Sequence, residues 1–139
     1  MQKSLKNKKT PVETAKALVG LMTIVSAADG NIDDSEVDLI TEAAMQIDEI
    51  KHLDSSEIVS AFKQTVDLIN QQGFEKAVYE TAKKISGEYK KLGFFLAIQA
   101  MLADGEIEDD EMIAVDLIKN SLGVSDSEAE EIIRIISNS

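Results

Sequence analysis

The sequence lacks several residue types on which whole classes of functional site depend. Its 139 residues include no Cys, no Trp, one Pro and one His. The absence of Cys excludes disulfides, thiolate metal sites and catalysis by a Cys nucleophile. The single His, His52, excludes a multi-His metal site, and we expect it on the surface after the second helix. Because only four Phe and two Tyr are present, the core is predicted to be mostly aliphatic.

No apolar run reaches the roughly 18 residues that a membrane-spanning helix needs. Residues 1–10 carry four Lys and lack the apolar core of a signal peptide, so we expect a cytoplasmic protein. Apolar residues make up 44% of the chain, enough to build a core in a single domain of ordinary size. We predict one domain over residues 11–139, preceded by a flexible basic lead-in at 1–10. At most, the lead-in would tether the protein peripherally to a membrane or a partner.

Charge is strongly unbalanced and unevenly distributed. The chain has 26 acidic and 14 basic residues, a net charge of −12, which argues against binding to nucleic acid. Residues 29–57 contain ten acids and one Lys, and residues 104–131 contain eleven acids and one Lys. Between them, residues 63–91 contain six Lys and four acids. Most of these charges are expected to solvate helix surfaces.

The two acidic segments contain an internal repeat. Residues 28–36 and 103–111 align at a constant offset of 75, and six of the nine positions are identical. We call these two segments the acidic corners. Each begins Ala-Asp-Gly, follows an apolar helical segment and precedes an amphipathic one. Two copies indicate a duplication rather than a solenoid, which needs more repeats of shorter period.

Apolar spacing of three and four residues predicts helices throughout, with no alternating strand pattern. Thr10-Pro11 begins the first helix, and capping boxes begin others at Asp54 and Ser125. Glycines end several helices. We predict an all-α, compact single domain of about seven helices. Helices 1–2 and 5–6 would form two similar hairpins related by approximate two-fold symmetry. The predicted spans are about 11–28, 33–47, 55–72, 74–86, 88–103, 108–122 and 126 onward.

Helix geometry explains most of each acidic corner. Gly30 and Gly105 suit a helix stop, and the acids that follow suit the start of the next helix. Asp29 and Asp104 are the exceptions, because each is predicted in the last turn of a helix, where an anion costs about 0.3–1 kcal/mol. Either these carboxylates bind the backbone of the next helix, or a cation lies beside them.

The corners also match the latter half of an EF-hand loop. Asp29, Gly30, Ile32, Asp33 and Glu36 would occupy positions 5, 6, 8, 9 and 12, and the second corner repeats this with Glu108 at position 9. The earlier ligand positions are apolar, so neither corner is an ordinary EF-hand. The chemistry favours a hard cation, Ca²⁺ or Mg²⁺. The candidate ligands are Asp29, Asp33, Asp34, Glu36, Asp104, Glu108, Asp109 and Glu111.

The doubled Ala-Asp-Gly corner, the lysine-rich start, the Asp54-Ser55-Ser56-Glu57 helix start and the segment 118–123 together resemble the tellurite-resistance TerB family. The resemblance covers nearly the whole chain. It implies a compact fold of about seven helices and a non-enzymatic role in resistance to tellurite and other stresses, within a larger complex. It also implies divalent-cation binding at the motif positions, which here are Asp29, Asp34, Glu36, Asp104, Asp109 and Glu111.

The composition restricts how such a role is performed. A chain with no thiol and a net charge of −12 is poorly suited to reduce or capture an oxyanion such as tellurite. The alternative to a cation-binding protein is a metal-free interaction module that uses its acidic surface to bind a protein partner. We expect protein partners and a monomeric chain in either case.

Overall fold

The structure is a computed structural model that describes residues 10–27, 34–102, 107 and 109–138, without the side chains of 34–37, 39 and 110. These residues form seven α-helices and one 3-10 turn, and no strand occurs among them. The helices are α1 (Val12–Ala27), α2 (Asp34–Met45), α3 (Ser55–Gln72), α4 (Phe74–Lys83), α5 (Lys90–Leu102), α6 (Asp109–Leu122) and α7 (Asp126–Ser137), with the 3-10 turn at Gly87–Tyr89. The predicted all-α class is confirmed.

Two helices form the centre of the molecule because most of their circumference is apolar. In α1, every residue from Thr14 to Val25 is buried except Lys16. In α5, Phe94 and Ile98 are fully buried. The two helices pack against each other; α2, α3 and α4 pack on α1, α6 and α7 pack on α5, and α4 also contacts α6. Among the buried residues described, Phe62 and Phe94 are the aromatic ones, in keeping with a mostly aliphatic core.

The 75-residue repeat is visible in the helices that flank the acidic corners. Helices α1 and α2 pack together, as do α5 and α6. Leu21 and its counterpart Leu96 are both buried, and so are Ile40 and its counterpart Val115. The duplicated sequence therefore folds into corresponding helix pairs with corresponding core positions. Two-fold symmetry between the halves stays a prediction.

The predicted capping boxes form at two helix starts. At α3, the Asp54 carboxylate accepts the Glu57 backbone N–H at 2.8 Å, and the Glu57 carboxylate accepts the Asp54 N–H at 3.0 Å. At α7, Ser125 Oγ accepts the Glu128 N–H at 3.2 Å, and the Glu128 carboxylate accepts the Ser125 N–H at 3.1 Å. Each box satisfies backbone donors that have no partner within the helix.

Gly73 joins α3 to α4 without a loop. It has φ 90° and ψ 165°, a backbone conformation available almost only to Gly, and its N–H donates to the Ile69 carbonyl at 2.8 Å. The next residue, Phe74, already begins α4. Gly123 similarly follows α6 with φ 74°. Both predicted helix stops are confirmed.

Some boundaries differ from the predictions. Pro11 was predicted as the first helical residue, but α1 begins at Val12, and the Pro11 carbonyl accepts the first helical hydrogen bond, from Ala15 N–H at 2.9 Å. The fourth helix was predicted to reach residue 86 but ends at Lys83. The chain turns there because the Ser86 backbone N–H donates to Thr14 Oγ1 on α1 at 3.2 Å.

The connection between α2 and α3 is longer than expected, and it corrects the prediction for His52. Residues 46–53 form turns that bury Ile50 completely and Leu53 almost completely. His52, between them, was predicted on the surface. It is half-buried instead, and its Nε2 atom is enclosed without a hydrogen-bond partner among the described residues. The burial of its neighbours draws this side chain inward.

Candidate functional site

The helices on either side of the two acidic corners end and begin at equivalent positions of the sequence repeat. Helices α1 and α5 end at Ala27 and Leu102, and helices α2 and α6 begin at Asp34 and Asp109. Both pairs of boundaries are separated by the 75 residues of the sequence repeat. Within the connections, Ile107 is described; it is half-buried and packs against the core, as expected for an apolar residue at the start of the next helix.

The structure describes the side chains of two of the eight predicted ligands. Asp109 is the first residue of α6 and is exposed, and Glu111, two residues later, is half-buried. Asp34 and Glu36 have helical backbone in the first turn of α2, but their side chains lie outside the described part. Asp29, Asp33, Asp104 and Glu108 lie outside the described residues altogether.

A cluster of three or more His, Asp or Glu side chains that could hold a metal ion does not occur within the described part of the chain. The described part includes the side chains of Asp109 and Glu111 but not those of the other six predicted ligands. The cation site therefore stays a prediction. In the sequence, its residues lie between helices that end at Ala27 and Leu102 and the first turns of helices that begin at Asp34 and Asp109.

The helix ends that precede the corners differ in their electrostatics from the helix starts that follow them. Helices α1 and α5 have no basic residue in their last turn. The negative end of each helix dipole therefore has no Lys or Arg of its own helix to offset it. Asp29 and Asp104 follow two residues after these helices end. By contrast, acids in the first turn of α2 and α6 lie at the positive ends of those helices, where an anion is favoured.

A family model described as Tellurite resistance protein TerB matches residues 15–134, most of the chain and all of α2 to α6. The chain belongs to the TerB family. No curated protein and no solved structure matches it significantly. The family resemblance inferred from the doubled corner is thereby confirmed. In the described part of this TerB-family chain, no helix is both long and apolar enough to cross a membrane.

The described lysines of this TerB-family chain that form ion pairs do so with acids outside the predicted ligand set. Lys119 on α6 contacts Asp126 on α7 at 2.6 Å, and Lys91 on α5 contacts Glu128 on α7 at 2.6 Å. Lys51–Asp48 and Lys83–Glu80 are local pairs three residues apart. The two longer-range pairs join α7 to the rest of the molecule.

These contacts lower the pKa values of several carboxyl groups. The pKa of Glu128 falls from 4.5 to about 2, mainly because Lys91 binds the ionised form and additionally because Ser125 donates to it. The pKa of Asp126 is lowered by Lys119. The pKa of Asp54 is lowered chiefly by the Ser56 hydroxyl, which donates at 2.7 Å, and then by the Glu57 N–H. Several of the described acids therefore have structural roles as caps and ion pairs.

Proposed function

We propose that the protein is a non-enzymatic, TerB-family stress protein whose two acidic corners bind divalent cations, Ca²⁺ or Mg²⁺. The observation that carries this proposal is that the helix boundaries around the two corners repeat. The ends of α1 and α5 and the starts of α2 and α6 recur at one 75-residue offset, together with the Asp-Gly and Glu positions of the corners. A corner that only connects two helices needs the Gly that ends the first helix and the acid that caps the second. It does not need a second acid at the negative end of the preceding helix.

Asp29 and Asp104 provide electrostatic support for the cation proposal. In the sequence, each lies two residues after a helix whose last turn has no basic residue, so a charge held near that helix end would add to the negative end of the dipole. A carboxylate in that position costs about 0.3–1 kcal/mol. A divalent cation held at the corner would reverse the sign of this interaction at both sites. The lysines of α4 to α6 that form ion pairs have other acids as partners.

The donor chemistry fits a hard cation. Each corner supplies carboxylate oxygens, the ligand type that Ca²⁺ and Mg²⁺ prefer. The chain has no Cys, and its one His lies between α2 and α3, outside both corners. Asp109 is exposed at the start of α6, where an approaching ion can reach it. The bound ion would supply positive charge that holds the corner closed between its two helices.

Isothermal titration calorimetry with CaCl₂ and with MgCl₂ tests this proposal on the full chain. We expect saturable binding that is lost in Asp29→Asn/Asp104→Asn. The matched control is Asp67→Asn/Asp116→Asn, which removes the same two charges from exposed positions on α3 and α6. Binding to the control variant should equal that of the wild type, because neither residue belongs to a corner.

A thermal melt provides an independent measurement. Bound cation raises the melting temperature by mass action, and the rise should be absent in the corner variant. If millimolar Ca²⁺ and Mg²⁺ produce neither heat nor a shift in melting temperature, the cation proposal is wrong. Equal loss of binding in both double variants would mean that the ions bind only to the general negative surface.

A second candidate function is a metal-free interaction module, and exposed apolar side chains beside the second corner favour it. Met112 and Ile113 on α6 are 41% and 74% exposed, close to Asp109 in the sequence. Apolar side chains rimmed by acids suit a partner with a basic, partly apolar surface. Under this alternative, Ile113→Lys abolishes capture of a defined partner, and addition or chelation of divalent ions has no effect.

We further propose that the protein is a monomer that acts within a larger cytoplasmic complex. Charge is consistent with this, since a strongly acidic surface repels a second copy of itself. Light scattering of the purified chain tests the oligomeric state. A molar mass near 15.2 kDa is expected, and twice that mass would contradict the proposal. Peripheral attachment through the Lys residues of segment 1–10 would appear as salt-sensitive binding to anionic vesicles.

A further inference from the structure

A groove of about 470 Å³ lies where α1, α3 and α4 converge, and its described lining residues all lie outside the two acidic corners. This volume is within the range of about 300–1,000 Å³ that is typical of small-molecule sites. Its walls include Ala17 from α1 and Ala61 and Leu68 from α3, and two buried hydroxyl residues, Thr65 and Thr81, also line it. The cation proposal does not use any of these residues.

Lysines outnumber acids in the lining of the groove, although the whole chain has a net charge of −12. Its charged lining residues are Lys16 of α1, Lys84 at the end of α4, and Glu13 of α1, so the lining has a net charge of +1. Lys84, Thr65 and Thr81 all lie in the segment 63–91, in which Lys outnumbers acid. Two lysine side chains at one groove of an acidic protein can attract a small anion.

Hydrogen bonds hold the two lysine-bearing segments side by side. Thr14 on α1 is buried, and its hydroxyl oxygen accepts the Ser86 backbone N–H at 3.2 Å and lies 3.0 Å from Ser86 Oγ. The Thr14 hydroxyl also lies 3.4 Å from the carbonyl oxygen of Lys84. The end of α4 is thereby fixed against the first turns of α1, which keeps Lys84 on the same groove as Lys16.

The helices beside the groove are in close contact, which makes its shape rigid. Gly20 faces Thr65 and Thr81, and a Cβ atom at Gly20 would lie only 2.9 Å from Thr65 Oγ1 and 3.1 Å from Thr81 Cγ2. Thr65 Oγ1 donates to the Ala61 carbonyl at 2.9 Å, so its oxygen retains acceptor capacity. A preformed groove of this kind loses little conformational entropy on binding.

We propose that this groove binds a small monoanionic organic molecule of the carboxylate class. The carboxylate lies between Lys16 and Lys84, and the short apolar part packs on Ala17, Ala61 and Leu68. The charge of the lining matches a single negative charge, and the apolar wall excludes a fully hydrated inorganic ion as the preferred ligand. The site is independent of the acidic corners.

An NMR titration of the full chain with hexanoate, acetate and hexanol tests the proposal. Hexanoate has both features, acetate lacks the apolar part, and hexanol lacks the charge. We expect saturable shifts of the Thr65, Thr81 and Lys84 amides with hexanoate. Acetate and hexanol should each bind about tenfold or more weakly, because each loses one of the two contributions. Equal binding of all three, or no saturation by hexanoate at tens of millimolar, overturns the proposal.

Matched lysine variants test whether the charges of Lys16 and Lys84 contribute to hexanoate binding. Lys16→Gln/Lys84→Gln should weaken hexanoate binding about five- to tenfold, since two partly exposed ion pairs are lost. Lys63→Gln/Lys76→Gln removes the same charge from exposed positions on α3 and α4 outside the groove and should bind hexanoate like the wild type. Equal weakening in both variants would contradict a specific groove site. The wild-type comparison of three probes remains decisive even if one variant folds poorly.

Discussion

Among the described glycines, Gly20 leaves the least room for an added Cβ atom, so Gly20→Ala is a sharp test of the packing around α1. In an exposed helix interior, the change from Gly to Ala stabilises by about 1 kcal/mol. Here the added Cβ would lie 2.9 Å from Thr65 Oγ1 and 3.1 Å from Thr81 Cγ2. The distance to Thr65 is shorter than real Cβ contacts allow, and the distance to Thr81 is tighter than most, so the side chain or the helix that bears Thr65 must shift.

The neighbouring side chains cannot yield cheaply. Thr65 and Thr81 are β-branched and buried, and Thr65 Oγ1 also donates to the Ala61 carbonyl at 2.9 Å. Overpacking of this kind costs about 1–3 kcal/mol, and loss of the hydrogen bond adds about 1 kcal/mol. Subtracting the propensity gain leaves a predicted destabilisation of about 1–3 kcal/mol, or roughly 4 °C in melting temperature for each kcal/mol.

Urea denaturation followed by circular dichroism measures the effect. Gly93→Ala on α5 is the matched control, because its nearest contact, Leu21 Cδ1 at 3.1 Å, is the end of a flexible side chain. We expect a smaller loss there. In a Thr65→Ala background, the cost of Gly20→Ala should shrink, because the clashing hydroxyl is gone. Wild-type or higher stability of the Gly20→Ala single variant would refute this account of the helix contact.

Three further results are expected. Gly73→Ala should cost about 1–3 kcal/mol in urea unfolding, because its φ of 90° and ψ of 165° suit almost only Gly, whereas Gly87→Ala meets no atom within 4 Å and should be nearly neutral. Phe94→Ala should cost about 3–5 kcal/mol, since the ring is fully buried. The Glu128 carboxyl should titrate near its pKa of about 2 by NMR and move toward 4.5 in Lys91→Met. Because the folded-state pKa is lowered, the stabilisation by this carboxylate is complete above about pH 4.5 and is lost as the pH falls toward 2. An unchanged titration of Glu128 in Lys91→Met would exclude the ion pair as the cause of the lowered pKa.

The helices were predictable because their signals are local. The capping boxes at Asp54 and Ser125 and the stops at Gly73 and Gly123 use side chains within a few residues of the backbone groups that they satisfy. The all-apolar face of α1 likewise follows from its composition. Such features need no knowledge of distant parts of the chain, and the structure confirms them.

The errors occurred where distant residues decide the conformation. The fourth helix stops at Lys83 because Ser86 binds Thr14, a residue from the other end of the domain. His52 is half-buried because the turns around it bury Ile50 and Leu53 in a core built by other helices. No periodicity in residues 46–53 or 83–89 encodes those contacts.

The sequence by itself determined the helical class, the family, the duplicated acidic corners and the candidate ligands from Asp29 to Glu36 and from Asp104 to Glu111. These follow from residue type, spacing and a 75-residue repeat. Only the tertiary structure decided that Lys16 and Lys84 share one groove, because α1 and α4 meet through Thr14 and Ser86. Spacing along a helix is fixed by its backbone geometry, whereas the meeting of two helices depends on the packing of the whole core.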